Sequence, residues 1–539
     1  YEPHDVTFSA DGGAMYIVNG KSATGPNPRL LSAGTARLTQ KVGGSGDNKA
    51  ALRASRAANQ YQFQLERATL VSAPVPARSE LPALTAQVAR NNFYAAALDA
   101  HDAAAMAFLR AHIRHVIYVI KENRTFDQVL GDLGNGSDGD PAYTQFGAAM
   151  TPNFHAMARE FVTIDHFSDP GDGSMDGWSW ALQGRVTNAE ALTQQIGYAF
   201  VDRGLSYESE GENRGVAVNW PGVQERDAAA GAPGTKRFTE ATAALPGGTA
   251  NVLAGRGDHA TADAPYGRQL GSIAHAVLAA GATVRNYGMR VQNIGAIGTK
   301  AEPLTDPFGA GRAQVLARDP ELAPHTDRYF RGFDQEYPDL WRFDEWRREF
   351  DGFAARGDLP ALSLVRLSHD HMGAFDTALA DVNTPETQQA DNDLAVGKLV
   401  EAVAASRFAQ DTLIFITEDD GQDGPDHVDS HRTPIYVVGP YVRHGAVVHT
   451  AYSQVNLLRT IEDLLGTQHM NLNTACQPPM ADLFDTAATP QWRYVAVAST
   501  LLKTTDLPRG RRDGPLRFVA GSDRGPAHDA AYWQAATAG

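Results

Sequence analysis

Five stretches of this chain are continuous runs of apolar, largely β-branched residues: 116–120, 161–167, 362–367, 412–417 and 434–438. Such runs, without polar alternation, are what a strand buried on both faces of a parallel sheet requires. Helical patterns lie between them. Trp346, Phe350 and Phe353 recur at i, i+4 and i+7. Leu457, Leu458, Ile461, Leu464 and Leu465 form a second stripe, opened by an N-cap at Ser453 and closed by Gly466. Buried strands alternating with amphipathic helices define an α/β fold with a mostly parallel central sheet flanked by helices.

Composition narrows the function. With 47 Lys and Arg against 63 Asp and Glu, the chain carries a formal charge of −16, which repels a phosphate backbone; no nucleic-acid binding is expected. No apolar run approaches the ~18–20 residues that span a bilayer, so no transmembrane segment is expected. The single cysteine, Cys476, excludes an internal disulfide and a cysteine-rich zinc site. The chain starts at Tyr1 without a charged-then-apolar leader, and together with the lone cysteine this leads us to expect a processed periplasmic or secreted protein.

Residues 1–20 read as a hairpin, with Asp5-Val6-Thr7-Phe8 and Met15-Tyr16-Ile17-Val18 on either side of a Gly-rich turn at 9–13. Residues 21–111 read as a connector with helix around 85–110. Residues 112–184 and 331–485 carry the strand–helix pattern, 185–330 reads as an insertion over one end of the sheet, and 486–539 as a C-terminal extension.

In an open parallel sheet, ligands bind beyond the carboxyl ends of the strands. The residues following four of the runs are therefore informative. They are Lys121-Glu122-Asn123-Arg124-Thr125-Phe126-Asp127, then Ser168-Asp169-Pro170-Gly171-Asp172-Gly173-Ser174, then Ser368-His369-Asp370-His371, then Glu418-Asp419-Asp420 with Asp423, Asp426, His427, Asp429 and His431 close behind. Carboxylates gathered at one edge repel one another unless cations neutralise them. Mixed Asp, Glu, His and Asn ligands suit divalent Zn, Mn, Mg or Ca.

The stretch from His115 to Asp127 resembles the opening of the phosphoesterase family that holds bacterial phospholipases C and acid phosphatases, within the alkaline phosphatase superfamily. Thr151-Pro152-Asn153-Phe154-His155, Ala390-Asp391-Asn392-Asp393-Leu394, residues 417–432 and the helix over 452–465 agree with it in order, so the resemblance spans roughly 110–485. Ser368-His369 stands where relatives usually have Pro-Asn. Residues 9–19 are similar to part of one blade of a YVTN-type β-propeller, and the whole resembles propeller-fused proteins of that superfamily.

The resemblance implies a metal-dependent phosphoesterase that hydrolyses phosphate mono- or diesters of small molecules through a phosphorylated hydroxyl at a helix N-terminus. Ser174 fits that place, because Met175–Gln183 reads as helix; Ser168 and Ser179 are the rivals. Glu122, Asn123, Asp419 and Asp420 align with metal ligands of the family. Asp370, His371, His427 and His431 fit a second metal position or phosphate-binding and leaving-group roles. We take Asp370 and His431 as metal ligands, and His371 and His427 as catalytic. Lys121 and Arg124 are expected to clamp phosphate oxygens. One divalent ion or two both suit the pattern. A phospholipase C acting on lipid head groups and a non-catalytic propeller-linked scaffold are the alternatives. A sulfatase would place Pro and Arg two and four residues after the nucleophile, where this chain has Asp176 and Trp178.

Overall fold

The computed structural model describes residues 3–19, 69–94, 98–171, 173–186, 271–317, 319, 321–421 and 426–503. The connector up to 68, most of the expected insertion (187–270), the extension from 504 onward, Asp172 and residues 422–425 with Asp423 lie outside them.

Four of the five apolar runs are strands of one sheet. Its members are β1 (His115–Lys121), β2 (Val284–Tyr287), β3 (Leu362–Arg366), β4 (Thr412–Glu418) and β5 (Ile435–Val438), in the order β5-β4-β1-β3-β2. All neighbours run parallel except β5, which is antiparallel to β4. Every residue of β3, β4 and β5 is buried, as is β1 from Val116 onward, so both faces of the sheet are covered. That double burial is what the unbroken apolar runs anticipate.

Two details differ from the expectation. The run at 161–167 does not enter the central sheet. It breaks into Val162–Ile164 and Phe167–Ser168, which pair in parallel with Ala446–Val448 and Tyr452–Ser453. Conversely, β2 falls within the stretch read as an insertion and is one of the two edge strands of the sheet, opposite β5. Its sequence Val-Arg-Asn-Tyr carries two adjacent polar residues rather than an apolar run, and Arg285 pairs with Glu349 at 2.6 Å.

The helices that bear on the site are α1 (Pro152–Glu160), α2 (Ser174–Gln183), α3 (Asp339–Arg356), α4 (Pro385–Ala404) and α5 (Gln454–Leu465). The stripe on α3 buries Trp346 and Phe350 in a stacked pair 4.7 Å apart. On α5, the Ser453 side chain accepts from the Val455 amide, and Gly466 closes the helix at φ 68° in the left-handed region.

The Asp391-Asn392-Asp393 sequence of α4 holds two other helix starts in place. Asp391 accepts the Asp339 amide at 2.6 Å, opening α3. Asp393 accepts the Asn153 and Phe154 amides at 3.1 and 2.8 Å, opening α1. Asn392 donates to Asp339 Oδ2 and to the Leu367 carbonyl, tying α3 to the end of β3. Carboxylates placed this way satisfy amides that a helix leaves without partners. The described part of the C-terminal extension also joins the core: Trp492 and Tyr494 are buried, and Tyr494 Oη donates to Asn153 Oδ1 at 3.0 Å.

The expected hairpin is present, Pro3–Phe8 pairing with Ala14–Asn19 around Gly12 at φ 70°. A third antiparallel strand, Thr69–Pro74, comes from the connector. Among the described residues this sheet has three strands, and the propeller likeness rests on residues 9–19. The connector's expected helix is two, Leu81–Asn91 and Ala100–His112.

Asp393 supplies a test of the clamp. Burial raises its pKa to about 7, against the hydrogen bonds from Phe154 and Asn153 that lower it. Since the folded value exceeds the unfolded one, the native state holds the extra proton in between. The stability contributed there is largest below pH ~4 and is lost as pH rises to ~7. In urea titrations over that range, wild type should lose stability relative to Asp393→Asn as pH rises, by at most ~4 kcal/mol. A difference that stays flat with pH contradicts the assignment.

Candidate functional site

Sheet register sets the first layer of the site. Lys121, at the end of β1, stands level with Glu418 at the end of β4, and Ile120 is level with Arg366 on β3. Lys121 is buried, and its Nζ lies 2.5 Å from Asp370 Oδ2 and 2.6 Å from Glu418 Oε1. Burial disfavours its ammonium, but the charges of Asp370 and Glu418 outweigh that and raise its pKa. Lys121, expected as a phosphate clamp, is therefore a charge-balancing cation beneath the site. Arg366 plays the same part for Glu122, with Nη2 2.7 Å from Oε2, and its guanidinium lies 4.2 Å from the Trp178 ring centre.

Arg124 is also turned inward. Its Nε donates to the Asp370 carbonyl at 3.0 Å and its Nη2 to that of His371 at 3.4 Å, so it fixes the 370–371 backbone. Asp370, expected as a metal ligand, gives Oδ2 to Lys121 and Oδ1 to the Glu122 amide at 3.3 Å. Both its oxygens are engaged from within the protein.

Above this layer sits Ser174, the first residue of α2. Asn123 Nδ2 donates to Ser174 Oγ at 2.9 Å and to Asp420 Oδ2 at 2.6 Å, and Ser174 Oγ donates to the same Asp420 oxygen at 2.7 Å. Three residues from three chain segments close one triangle. Gly177 makes it possible: a Cβ there would lie 2.7 Å from the Asp419 carbonyl oxygen and 3.1 Å from Asp420 Cβ. Only the bare backbone of α2 reaches the end of β4 so closely.

Around the triangle, seven buried side-chain oxygens accept no hydrogen bond from the described residues: Asn123 Oδ1, both of Asp169, Glu418 Oε2, both of Asp419, and Asp420 Oδ1. Burial, and then the charge of Asp420, hold Asp169 well above the usual carboxylate range; Glu418 and Asp176 act the same way and His431 opposes them. Burial, Asp420 and Glu122 do the same to Asp419. Glu418 is pushed up by burial despite Lys121, and Glu122 by burial despite Arg366. Asp420 is raised by burial despite the bonds from Ser174 and Asn123. Orphaned buried oxygens are costly, and crowded carboxylates resist ionising together. A divalent cation cures both faults, and oxygen donors of this kind fit one.

The histidines distribute differently. His371 is buried, its Nδ1 bonded to Gln335 Nε2 and its ring 5.1 Å from that of Phe333; its charge reaches Glu122 and Asp420. His427 instead joins a clamp, with Nδ1 2.6 Å from Asp127 Oδ2 and Nε2 3.2 Å from Asp138 Oδ1. Burial would lower its pKa, but Asp127 raises it. In the same clamp Arg432 bridges Asp127 at 2.8 Å and Asp426 at 3.0 Å, binding the 426–432 loop to the start of the Phe126–Leu130 helix. His431 Nδ1 lies 2.6 Å from Asp429 Oδ1, and His431 is the histidine whose charge favours the Asp169 anion.

Sequence reasoning left Asp169, Glu418 and Arg366 without roles. The first two stand in the strand-end stretches already singled out, so position marks them; Arg366, inside an apolar run, is marked only by being a charge where none belongs.

Fold and site together define an α/β protein that gathers a serine and a cluster of acidic side chains at the carboxyl ends of its strands. Residues 326–468 match the model of the Phosphoesterase family. The matched segment holds Asp370, Asp419 and Asp420, and the fold brings Glu122, Asn123 and Ser174 to it from outside. Among solved structures, the chain is similar to a sulfatase from Pseudoalteromonas sp. (14% identity, 75% of this chain and 79% of that one, TM-score 0.41). It is also similar to a protein in the alkaline phosphatase superfamily from Vibrio parahaemolyticus (12%, 71% and 79%, 0.36). A third is the lipoteichoic acid synthase LtaP from Listeria monocytogenes (11%, 80% and 93%, 0.36). A search of curated proteins found no match.

The orphaned oxygens yield a direct expectation. Elemental analysis should find bound divalent metal, and extensive chelation should lower the melting temperature, since the ligand set exists only in the folded state. Asp419→Asn and Asp420→Asn should each reduce the metal content. Full-length protein that holds no divalent ion, and whose melting is unmoved by chelator or added cation, contradicts this.

Proposed function

We propose that the protein is a metal-dependent phosphoesterase that hydrolyses phosphate mono- or diesters through a phosphoserine at Ser174. The observation that carries this reading is the Ser174–Asn123–Asp420 triangle set among seven unpartnered buried oxygens.

The residues divide the work. Asn123 donates to Ser174 Oγ and so orients the hydroxyl, while Asp420 Oδ2 accepts its hydrogen and holds the proton as the oxygen attacks phosphorus. The bond from phosphorus to the leaving oxygen breaks in line, and we assign that oxygen's proton to His371, the imidazole adjoining Asp420 and Glu122. The first amides of α2 face the phosphoryl oxygens, where the helix N-terminus favours negative charge. Asp169, Asp419, Asp420 and Asn123 would hold a divalent cation, which would supply charge neutralisation at the phosphoryl oxygens and favour the ionised serine hydroxyl. Water then cleaves the phosphoserine. No helix among the described residues is long and apolar enough to cross a membrane.

Ser174→Ala keeps the volume and charge of the site nearly unchanged, so metal content and melting temperature should hold. Turnover of an aryl phosphate should fall by roughly three orders of magnitude or more. Aryl phosphomonoester, phosphodiester, aryl sulfate and choline-headed lipid, assayed side by side, rank the substrate classes. A rapid acid quench of wild type should trap phosphate on Ser174. Retention of most activity by Ser174→Ala sinks the assignment.

A further inference from the structure

We propose a second metal site, apart from the catalytic one, formed by Asp165, His166 and His449 with Asp138 at its rim, and taking a borderline divalent ion such as zinc. Its position follows from the two short parallel ribbons. Val162–Ile164 runs beside Ala446–Val448 with Ile164 level with Val448, and Phe167–Ser168 runs beside Tyr452–Ser453 with Phe167 level with Tyr452. Asp165-His166 and His449 fall in the gap between the ribbons, so ladders on both sides fix their backbones. The Asp165 amide donates to the Val448 carbonyl at 3.4 Å, and the Tyr452 amide to the His166 carbonyl at 3.0 Å.

The ligand atoms of these three residues all lie within 4.8 Å of one another. His449 Nδ1 is 2.8 Å from Asp165 Oδ2, His166 Nε2 is 4.0 Å from Asp165 Oδ1, and His166 Nε2 is 3.6 Å from Asp138 Oδ2. Ligands bound tetrahedrally at ~2.0–2.2 Å stand roughly 3.4 Å apart, so these separations bracket a bound ion and ask only for side-chain adjustment. An independent observation points into the site: Asp165 is fully buried, and its Oδ1 accepts no hydrogen bond. Oδ2 already receives the Asp138 amide at 2.7 Å and His449. A buried carboxylate with one oxygen satisfied and the other bare, beside two imidazoles, has the makings of a ligand set of two nitrogens and two oxygens.

Two other Asp/His groups differ in kind. Asp127, Asp426 and His427 are already neutralised by Arg432. Asp99, His101 and Asp102 surround an exposed helix start, where Asp99 serves as the N-cap. Of these groups among the described residues, only 165–166–449 joins a bare buried oxygen to solvent-reachable imidazoles, His166 being 33% and His449 60% exposed along their side chains.

An ion there staples the ribbon strand of 162–168 to that of 446–453, the segment that leads into α5. The test uses full-length protein stripped of metal and titrated with Co2+. Wild type should bind one more equivalent than His166→Ala or His449→Ala, with the visible absorption of tetrahedral nitrogen-ligated cobalt in wild type alone. Asp420→Asn should retain that absorption, which separates this site from the catalytic one. On the unsubstituted protein, Zn2+ should protect His166 and His449, but not the exposed His112, from diethyl pyrocarbonate. Equal cobalt stoichiometry in wild type and both histidine variants, or equal modification with and without Zn2+, overturns the proposal.

Discussion

Everything at the site depends on a charge imbalance that the fold enforces. Glu122, Asp169, Asp370, Glu418, Asp419 and Asp420 are buried together at the strand ends, and Lys121 and Arg366 are the full cations that touch them. The two cations are placed beneath, level with the last residues of the sheet. They settle Asp370 and one oxygen each of Glu122 and Glu418. The remaining carboxylate surface faces the mouth of the site beside Ser174, where an added cation has both charge to neutralise and oxygens to coordinate. A site so arranged prefers a ligand that brings positive charge with it, and then a substrate that brings negative charge to that ion.

The supporting structure is polar as well. Asp391, Asn392 and Asp393 lie inside the core and yet face helix starts and a strand end. His369, from the Ser368-His369 departure in sequence, is locked the same way, with Nδ1 2.6 Å from Asp391 Oδ2 and its amide on Asp339. Thus the Asp370–His371 pair is presented by a turn held at both ends. Arg432 does for the 426–432 loop what α4 does for the helices, gathering Asp127, Asp426 and two carbonyls around one guanidinium.

The central strands were legible because burial on both faces forces a long apolar run, and in a water-soluble fold such a run has few places to go except the middle of a sheet. The edge strand β2 was not, since Val284–Tyr287 is short and carries Arg285 in an ion pair. The run at 161–167 misled for the opposite reason: its residues are buried by loops and helices around two ribbons only two or three residues long. Among site residues, Glu122, Asn123, Ser174, Asp419 and Asp420 could be found by looking past strand ends, and the structure brings them together. The misplaced expectations are those where a charge could equally well look inward. Lys121, Arg124 and Asp370 have the right neighbours in sequence, yet their side chains turn to one another or to backbone. Sequence position gives the level along the sheet; it does not give the direction of a flexible side chain.

The close approach at Gly177 has a mechanical consequence. Helix α2 begins at Ser174, and Asp419 and Asp420 follow directly on β4; at Gly177 the two backbones are in contact with no side chain between them. No cushion remains that could let one element slide while the other stays. The Ser174 hydroxyl and its Asp420 partner are therefore brought together by backbone packing, and their spacing is set when the chain folds.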